Sequence, residues 1–388
     1  MHHRLNRRAL AVTLAAGAAA VTGLALTGCD STPSVVRIGV VQPLSGNLGA
    51  LGQDMLNGVK LAVDELNRSG FRIKGKTVTL EVVAVDDRAD AATGKQVAQQ
   101  LVDAGVVAVI GHLNSGVSIE TVPIYASRSI PQLAISTNPR YTQLGLPTTF
   151  RLVANDNLQA RAIGSFASSQ MGAQRFAVVD DGTPYGKGLA DGAAAELRKG
   201  NKDIAVRESF DDKTTAFDAL AMKLRDERVE AIVSTLNDFQ VKALLEALAR
   251  IGYSDVAVLG GDTLKTTAGI EIAPLARKGF FASSPIVEPR EFPAGARFLD
   301  AYRAAFKVEP AYGGHYSYDA THVLTTVMRR VESADPKKIT GALRSVDGYA
   351  PVTGSMRFDD RGEQRYGVIG IYTVRNGRWE SKVRSDQW

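Results

Sequence analysis

Short apolar runs alternate with longer amphipathic segments along most of the chain. The first pair is an apolar run at Val35–Val41 and a segment at Asp54–Asn67 whose apolar residues recur at helical spacing. The same alternation continues as far as Gly260. Strands that alternate with helices of this length are typical of parallel sheets covered by helices. The pattern therefore predicts an α/β fold.

The predicted elements form two series of similar length. The first series closes with a strand at Thr149–Val153, and the second opens with a helix at Leu158–Met171. Two further helices, Gly295–Phe306 and Tyr316–Val331, then follow without a strand between them, and the tail has the pattern of β-hairpins around the turn Asn376-Gly377. Two series of this kind predict two lobes.

Two neighbouring strands of the first series are predicted to end in small, hydroxylated loops. One loop contains Asn114 and Ser115, and the other contains Ser136 and Thr137. Ligands of open α/β sheets bind outside the carboxyl ends of the strands, where the strand order reverses. Ser115 is also predicted to be a helix N-cap, and the free N–H groups of a helix start suit a carboxylate or a phosphate. Helix capping alone is the alternative role of Ser115 and Thr137, but two such loops side by side favour a ligand site.

The beginning of the chain has the pattern of a secretion signal. Three arginines precede an apolar run from Ala9 to Leu26, which leads into Thr27-Gly28-Cys29. Small residues before a cysteine match the lipoprotein signal motif, and Cys29 is the only cysteine of the chain. We therefore expect residues 1–28 to be cleaved, Cys29 to be acylated and residues 29–34 to form a tether. An uncleaved membrane anchor is the alternative. No second long apolar run follows, so the mature chain is not expected to cross a membrane.

The charge of the expected mature chain is close to balance. Removal of the three leader arginines from the 46 basic residues leaves 43 of them against 41 acidic residues. The composition, which has no basic cluster, argues against nucleic acid as a partner. About 360 mature residues are enough for two domains, whose cores must hold the fold without an intramolecular disulfide.

No catalytic or metal-binding motif is complete. Residues 182–188 resemble a phosphate loop, but the spacing is one residue short and no Ser or Thr follows the lysine. The histidines His112, His315 and His322 have no cysteine as a co-ligand, so structural roles are expected for them, with no metal and no cofactor. One enzymatic alternative stays open, in which Ser115 is the nucleophile of an envelope α/β hydrolase and His112 is its base.

Several short segments, in a fixed order, carry a family resemblance over nearly the whole mature chain. They are Val40–Gly46 with Asn57–Ala62, Ile110–His112, Thr137–Pro139, Asp181–Leu189, Gly260–Asp262 and Tyr316–Ala320. Together they resemble the branched-chain amino acid-binding proteins of ABC transporters, which are type I periplasmic binding proteins. The resemblance implies two Rossmann-like lobes with parallel central sheets, joined by three crossover strands.

The resemblance also implies a role for each matching residue. Ser115 and Thr137 would hold the carboxylate of the ligand. The backbone carbonyl of Ile135 and the carboxylate of Asp262 would receive its α-ammonium group. Tyr185 would close over the ligand from the second lobe.

The other predicted ligand-binding residues lie beside these. Ser136 and Asn114 belong to the same two loops, and the loop before Thr137 is one residue shorter than in many members of the family. Leu51, where some relatives carry an aromatic residue, and Asn237 or Asp238 across the cleft are predicted to contact the ligand side chain. Ordinary packing or loop polarity is the alternative role of each of these three residues.

These observations predict a receptor that closes on an amino acid, branched-chain or otherwise apolar, and delivers it to an ABC transporter permease. The expected location is the periplasm, with a lipid anchor in the inner membrane, because Asp30 after the cysteine resembles an inner-membrane retention signal. The first lobe is predicted to comprise residues 35–154 and 285–355, and the second lobe residues 155–284 and 356–388. A receptor for an amide, urea or aromatic acid on the same fold is the alternative within binding proteins.

Overall fold

The computed structural model describes residues 32–387. The predicted signal peptide, with Cys29, lies outside the described residues. Within residues 32–387, no helix is both long enough and apolar enough to cross a membrane.

Helices follow strands in close alternation through the first two thirds of the chain, as predicted. The α-helices, in chain order, are α1 (Gly49–Arg68), α2 (Ala91–Asp103), α3 (Ser115–Ala126), α4 (Arg140–Gln143), α5 (Asp156–Gln170), α6 (Pro184–Lys199), α7 (Asp218–Asp226), α8 (Asp238–Arg250), α9 (Thr267–Ile272), α10 (Gly295–Phe306), α11 (Gly314–Arg330) and α12 (Pro336–Leu343). The bounds of α10 agree with those predicted from the sequence.

The strands belong to two large sheets and two small hairpins. In chain order they are β1 (Val35–Gln42), β2 (Arg72–Ile73), β3 (Lys76–Thr77), β4 (Thr79–Asp86), β5 (Ala108–Gly111), β6 (Gln132–Ala134), β7 (Thr149–Arg151), β8 (Arg175–Asp180), β9 (Asp203–Ser209), β10 (Ala231–Ser234), β11 (Ala257–Gly260), β12 (Gly279–Ser284), β13 (Asp347–Gly348), β14 (Met356–Arg357), β15 (Gly370–Arg375) and β16 (Arg378–Arg384).

The first sheet is parallel throughout and has the order β4-β1-β5-β6-β7. The strand order reverses at β1, because β4 pairs with one edge of β1 and β5 with the other. Such a reversal opens a crevice at the carboxyl ends of the strands. The loop with Asn114 and Ser115 follows β5 and therefore lies at this crevice.

The second sheet has the order β16-β15-β12-β11-β10-β8-β9. Its five strands from β8 to β12 are parallel, and β15 and β16 add an antiparallel hairpin at one edge. The predicted turn joins this hairpin: Asn376 and Gly377 both have positive φ, as a type I′ turn requires. Strand β12 was not predicted from the sequence.

Helices cover both faces of each sheet. On the first sheet, one core lies beneath α1 and α11 and a smaller core lies beneath α2 and α3. On the second sheet, one core lies beneath α5 and α6 and the other beneath α7, α8 and α9. We call each sheet with the helices packed on it a lobe.

Helix α1 packs against the start of α11 through a glycine. A Cβ atom at Gly58 would lie 1.9 Å from the carbonyl oxygen of Gly314, so only glycine allows this approach. Beside it, the buried carboxylate of Asp54 accepts hydrogen bonds from the hydroxyl of Tyr302 and the N–H groups of Tyr312 and Gly314. Burial raises the pKa of Asp54 above its ordinary value despite these donors. The late helix α11 is thus fixed to the first lobe.

The chain passes between the lobes three times: after β7, after β12 and between β14 and β15. The first and third passages meet at Arg151, which is fully buried. Its guanidinium donates two hydrogen bonds to the carboxylate of Glu363, at 2.9 and 3.1 Å. It also donates to the backbone carbonyl groups of Ser136 and Asn138. Arg151 therefore joins two interlobe passages to the loop that carries Thr137. The exact lobe limits given above stay a prediction.

The prediction that Ser115 is the N-cap of α3 is wrong. Asn114 occupies the N-cap position with extended backbone angles, and Ser115 is the first helical residue. Both residue types are common N-caps, and the sequence alone does not separate adjacent candidates. The hydroxyl of Ser115 is instead available to the neighbouring loop.

Candidate functional site

A cavity of about 340 Å³ lies where the carboxyl ends of both sheets face each other. This volume is within the range of about 300–1,000 Å³ that small-molecule sites occupy. Eight of the nine predicted ligand-binding residues line it: Leu51, Asn114, Ser115, Ile135, Thr137, Tyr185, Asn237 and Asp262. The structure thus brings together residues from five strand ends and from the start of α1.

Ser115 and Thr137 come from adjacent strand ends and are both buried. The hydroxyl oxygen of Ser115 accepts a hydrogen bond of 3.2 Å from the N–H of Asn138. This bond ties the loop after β5 to the loop after β6. Ser115 is also the first residue of the twelve-residue helix α3, whose first N–H groups have no partner within the helix. The pair and the helix start can together receive an anionic group.

Ser136 is the predicted site residue that does not line the cavity. Its hydroxyl group lies 2.7 Å from that of Ser118 and within hydrogen-bond distance of the carbonyl oxygens of His112 and Leu113. The side chain is therefore committed to holding the two loops together. Its place in the chain was predicted, but the direction of its side chain was not visible in the sequence.

Asp262 faces the cavity from the end of β11 and is surrounded by donors. The hydroxyl of Tyr185 donates to Oδ1 at 2.6 Å, Gln159 Nε2 donates to Oδ1 at 3.1 Å, and the hydroxyl of Tyr312 donates to Oδ2 at 2.8 Å. The close approach of Tyr185 depends on Gly261, because a Cβ atom there would lie 2.3 Å from the tyrosine oxygen. A carboxylate offers about four lone-pair positions. Three are occupied, and the remaining one, on Oδ2, is available to a further donor.

Asp156, the first residue of α5, lies near Asp262 and was missed by the sequence analysis. It is 3% exposed, and neither of its carboxylate oxygens makes a well-formed hydrogen bond among the described residues, although the side chain of Thr137 lies close enough to oppose the effect of burial on its pKa. Burial, and then the charge of Asp262, raise the pKa of Asp156 to about 8. A buried carboxylate with so little donor support is strongly disfavoured in its charged form, so Asp156 is held mainly as a neutral acid at neutral pH.

Asp181 and Asn237 follow β8 and β10 on the second-lobe side of the cavity. Asp181 Oδ1 accepts hydrogen bonds from the N–H and the hydroxyl of Thr183, whereas Oδ2 has only the amide of Asn237 at 3.4 Å. Burial raises the pKa of Asp181 to about 6, with contributions from the charges of Asp180 and Asp212. Asp181 is therefore mostly ionised at neutral pH and lacks a full set of donors.

The side chain of His112 is not hydrogen-bonded to Ser115. Its Nδ1 lies 2.6 Å from the carboxylate of Asp87 and its Nε2 lies 3.2 Å from the hydroxyl of Tyr125, all three side chains being buried. Both ring nitrogens are thus committed to groups on the far side of the loop. Ser115 makes its side-chain hydrogen bond to Asn138 instead. The geometry that the hydrolase alternative requires, a histidine bonded to Ser115, is not what the structure shows.

The residues that sequence reasoning missed share one property. Tyr312 precedes α11, Gln159 lies in α5 and Asp156 begins α5, so each is remote in the chain from the residue that it contacts. An acid and an amide at the first turn of α5 are a weak local signal, whereas Tyr312 has none. Only the packing of α11 on the first lobe brings Tyr312 to Asp262.

Comparison with known proteins gives consistent results. A family model described as periplasmic binding protein matches residues 35–378. The Leu/Ile/Val-binding protein homolog 2 of Brucella abortus is 30% identical to this chain over 344 residues, which are 88% of this chain and 91% of the relative.

Two solved structures are similar over most of their length. LivJ of Streptococcus pneumoniae, a branched-chain amino acid transporter substrate binding protein in complex with isoleucine, has a TM-score of 0.78 and 26% identity, covering 90% of this chain and 98% of its own. A solute binding protein of an ABC transporter from R. palustris, in complex with benzoate, has a TM-score of 0.78 at 16% identity, covering 90% and 95%. The second likeness concerns the fold alone.

Proposed function

Since the chain belongs to the periplasmic binding protein family, we propose that it is the receptor of an ABC importer and that it binds a free amino acid in the cavity between its lobes. The family and the type I periplasmic binding fold, both predicted from the sequence, are confirmed. Membership also places the protein outside the cytoplasm. LivJ, which binds isoleucine, and the Leu/Ile/Val-binding homologue support an amino acid as the ligand.

The two ends of an amino acid fit opposite sides of the cavity. Ser115, Thr137 and the first N–H groups of α3 receive the carboxylate, where the helix start adds partial positive charge. Asp262 receives the α-ammonium group on the lone-pair position that Tyr185, Gln159 and Tyr312 leave open. The carbonyl of Ile135, which lines the same cavity, is a second acceptor for the ammonium group.

The single observation that carries this proposal is the environment of Asp262. Its carboxylate is 5% exposed, and the described residues around it supply hydroxyl and amide donors but no cationic side chain within hydrogen-bond distance. A buried carboxylate of this kind gains most from a cationic partner. Because Asp262 belongs to the second lobe and Ser115 to the first, a zwitterion gains both partners only when the lobes are closed. Ligand binding therefore shifts the population towards the closed form, which a permease can recognise.

Binding is tested first by thermal unfolding with single amino acids. A ligand present at about 100 times its dissociation constant stabilises a protein by about 2.7 kcal/mol. Benzoate and urea are included, because stabilisation by either of these, with no effect of any amino acid, would replace the proposal with the alternative receptor. Hydrolysis of an ester or amide substrate would replace it with an enzymatic function.

The site is then tested by calorimetry on two variants. Removing one member of a buried charge pair costs about 2–5 kcal/mol, so Asp262→Asn should weaken binding by roughly thirtyfold or more. Ser115→Ala removes one hydrogen bond to a charged group, which is worth about 1.5–3 kcal/mol, or roughly a ten- to hundredfold loss of affinity. Asp255→Asn, at an exposed carboxylate of the second lobe, is the control. Wild-type affinity in both site variants would remove these assignments.

The proposed location includes a lipid anchor at Cys29. The supporting observation is the motif Leu26-Thr27-Gly28-Cys29 behind an apolar run. Cells that express the protein are labelled with radioactive palmitate, and Cys29→Ala should abolish the label and leave an unprocessed precursor. An unlabelled wild-type protein would contradict the anchor without affecting the ligand site.

A further inference from the structure

The two sides of the cavity differ in chemistry. Six leucine, isoleucine and valine side chains line it from the first lobe, beside polar residues that include Asp90 and Glu120; the six are Leu48, Leu51, Leu113, Val117, Ile119 and Ile135. Among the described residues that line it from the second lobe, none is Leu, Ile or Val. Besides Pro184, Tyr185 and Asp262, that side consists of Asp181, Thr183, Asp212, Asn237 and Thr263, which we call the polar wall.

The polar wall presents acceptors rather than donors. The hydroxyl of Thr183 donates to Asp181, and the hydroxyl of Thr263 donates to the carbonyl of Leu236, so both leave only oxygen lone pairs for a ligand. The amide group of Asn237 directs its N–H towards Asp181 Oδ2 at 3.4 Å, and its oxygen takes part in the capping box with Gln240 at the start of α8. The polar wall therefore needs N–H or O–H groups from the ligand.

Two carboxylates of the polar wall have no ion-pair partner among residues 32–387. Asp181 is buried and bonded only to Thr183 and Asn237, and the side chain of half-buried Asp212 has no hydrogen bond or ion pair within the described part of the chain. Among the described lining residues Arg140 is the only basic one, and it is exposed on the first-lobe side. By contrast, Glu120 at the same cavity is paired with Lys95 at 2.6 Å.

One more unpartnered acceptor faces the cavity from the first lobe. The side-chain oxygen of Asn114 is buried and has no hydrogen-bond partner among the described residues. A purely aliphatic ligand would bury this oxygen and the acceptors of the polar wall without replacing their lost water. Leaving such a group unpaired typically costs about 1–3 kcal/mol.

We propose that the cavity selects an amino acid whose side chain has an aliphatic stem and ends in a nitrogen donor, either an amide or a cationic amine. The stem packs on the leucines and isoleucines of the first lobe, and the nitrogen reaches Asp181 and Asp212, beside Asn237. This inference rests on the proposed function. Of the apolar side chain expected from the sequence, it keeps only the aliphatic stem and adds a nitrogen donor at the end. A site that hydrogen-bonds a polar group of its ligand strongly rejects a ligand of the same shape that lacks this group. This discrimination is much larger than the discrimination of a hydrophobic pocket between ligands that differ by one methylene group.

The inference is tested by calorimetry with two matched ligand pairs. Asparagine has nearly the shape of leucine, and lysine is norleucine with an added ammonium group. The expected result is that asparagine or lysine binds about tenfold or more tightly than its aliphatic partner, which corresponds to about 1.4 kcal/mol for each tenfold step. Equal or tighter binding of leucine and norleucine overturns the inference but leaves the proposed function intact. If no amino acid binds at all, the proposed function itself fails.

The role of the polar wall is then tested on Asp212→Leu and Asn237→Leu. Both variants should reduce the preference for the nitrogen-ended member of the pair by about tenfold and improve binding of the aliphatic member. Asp212 makes no side-chain hydrogen bond or ion pair with another described residue, so its substitution is not expected to disturb the fold. Asn237 is the N-cap of α8, so Asn237→Leu is accepted only if its thermal unfolding is cooperative. Asp255→Leu makes the same change at an exposed position of the second lobe and should leave the preference as in wild type. An unchanged preference in both wall variants overturns the assignment.

Discussion

Replacement of Asp156 by Asn should change how the stability of the protein depends on pH. The pKa of Asp156 is about 8 in the folded protein because the side chain is buried and near the charge of Asp262. In the unfolded chain the pKa of an aspartate is about 3.9. Between these two values the folded state holds a proton that the unfolded state has lost. The stabilisation that this proton gives is therefore complete below about pH 4 and is lost as the pH rises towards about 8, by at most about 1.4 kcal/mol per pH unit.

Other groups contribute at lower pH, which defines the range to measure. Burial also raises the pKa of Asp181 and Asp319 to about 6, so their contributions fall with pH but are largely complete by about pH 7. His315 has the opposite sign, because burial lowers its pKa to about 4 and stability rises with pH until the unfolded histidine is neutral. Between about pH 6.5 and about pH 7.5, Asp156 should therefore contribute most of the change in the free energy of unfolding with pH.

The assay is urea unfolding of wild type and Asp156→Asn across that range. The difference between the two free energies of unfolding should move in favour of the variant by about 1.4 kcal/mol for each pH unit, since all other groups are shared. Asp255→Asn, which removes an exposed carboxylate, should run parallel to wild type. If Asp156→Asn also runs parallel to wild type, Asp156 is not a neutral buried acid and the account of its environment is wrong.

The remaining predictions concern the ligand, the passages between the lobes and the helix contacts. An ammonium group bound beside Asp262 should lower the pKa of Asp156, so at pH 7 the binding enthalpy of wild type should vary with the ionisation enthalpy of the buffer, whereas that of Asp156→Asn should not. Glu363→Gln leaves Arg151 buried without its anionic partner, so urea unfolding should show a loss of about 3–5 kcal/mol. Gly58→Ala should destabilise the protein in thermal unfolding, whereas Gly341→Ala, in a helix with open space around it, should stabilise it by up to about 1 kcal/mol. A stable Gly58→Ala variant would contradict the close approach of α1 and α11.

Features that depend on local sequence could be predicted well. The alternation of apolar runs and amphipathic segments fixed the order of strands and helices, and the strand-end rule led to Ser115 and Thr137 before any geometry was known. Strand β12 was missed because Gly279–Ser284 follows β11 after only short helices, without the long amphipathic segment that marked the other strands. The roles that depend on tertiary contacts could not be found. Asp156 is held neutral by its burial and by the charge of Asp262, and nothing in its own segment indicates either.

The roles of single residues at the ends of helices could not be predicted from the sequence either. Asn114 and Ser115 are equally good caps by residue type, but in the structure Asn114 is the N-cap and the hydroxyl of Ser115 accepts a hydrogen bond from the next loop. The polar wall is a similar case. Its residues come from four different loops, which the second sheet brings to one side of the cavity. Only this arrangement shows that together they offer a ligand mainly hydrogen-bond acceptors.

The three passages between the lobes have a consequence for how the chain is made and how it can be re-engineered. The core of the first lobe includes Val323, Leu324 and Phe358, and the core of the second includes Ile371 and Trp379. A chain synthesised from its N-terminus therefore has neither core complete until the last few dozen residues have emerged. Truncation before residue 314 should remove α11 from the first lobe and the edge strands β15 and β16 from the second, rather than release one folded half. For the same reason, a chimera that exchanges one lobe with a relative needs three junctions, and a single crossover point would divide both cores.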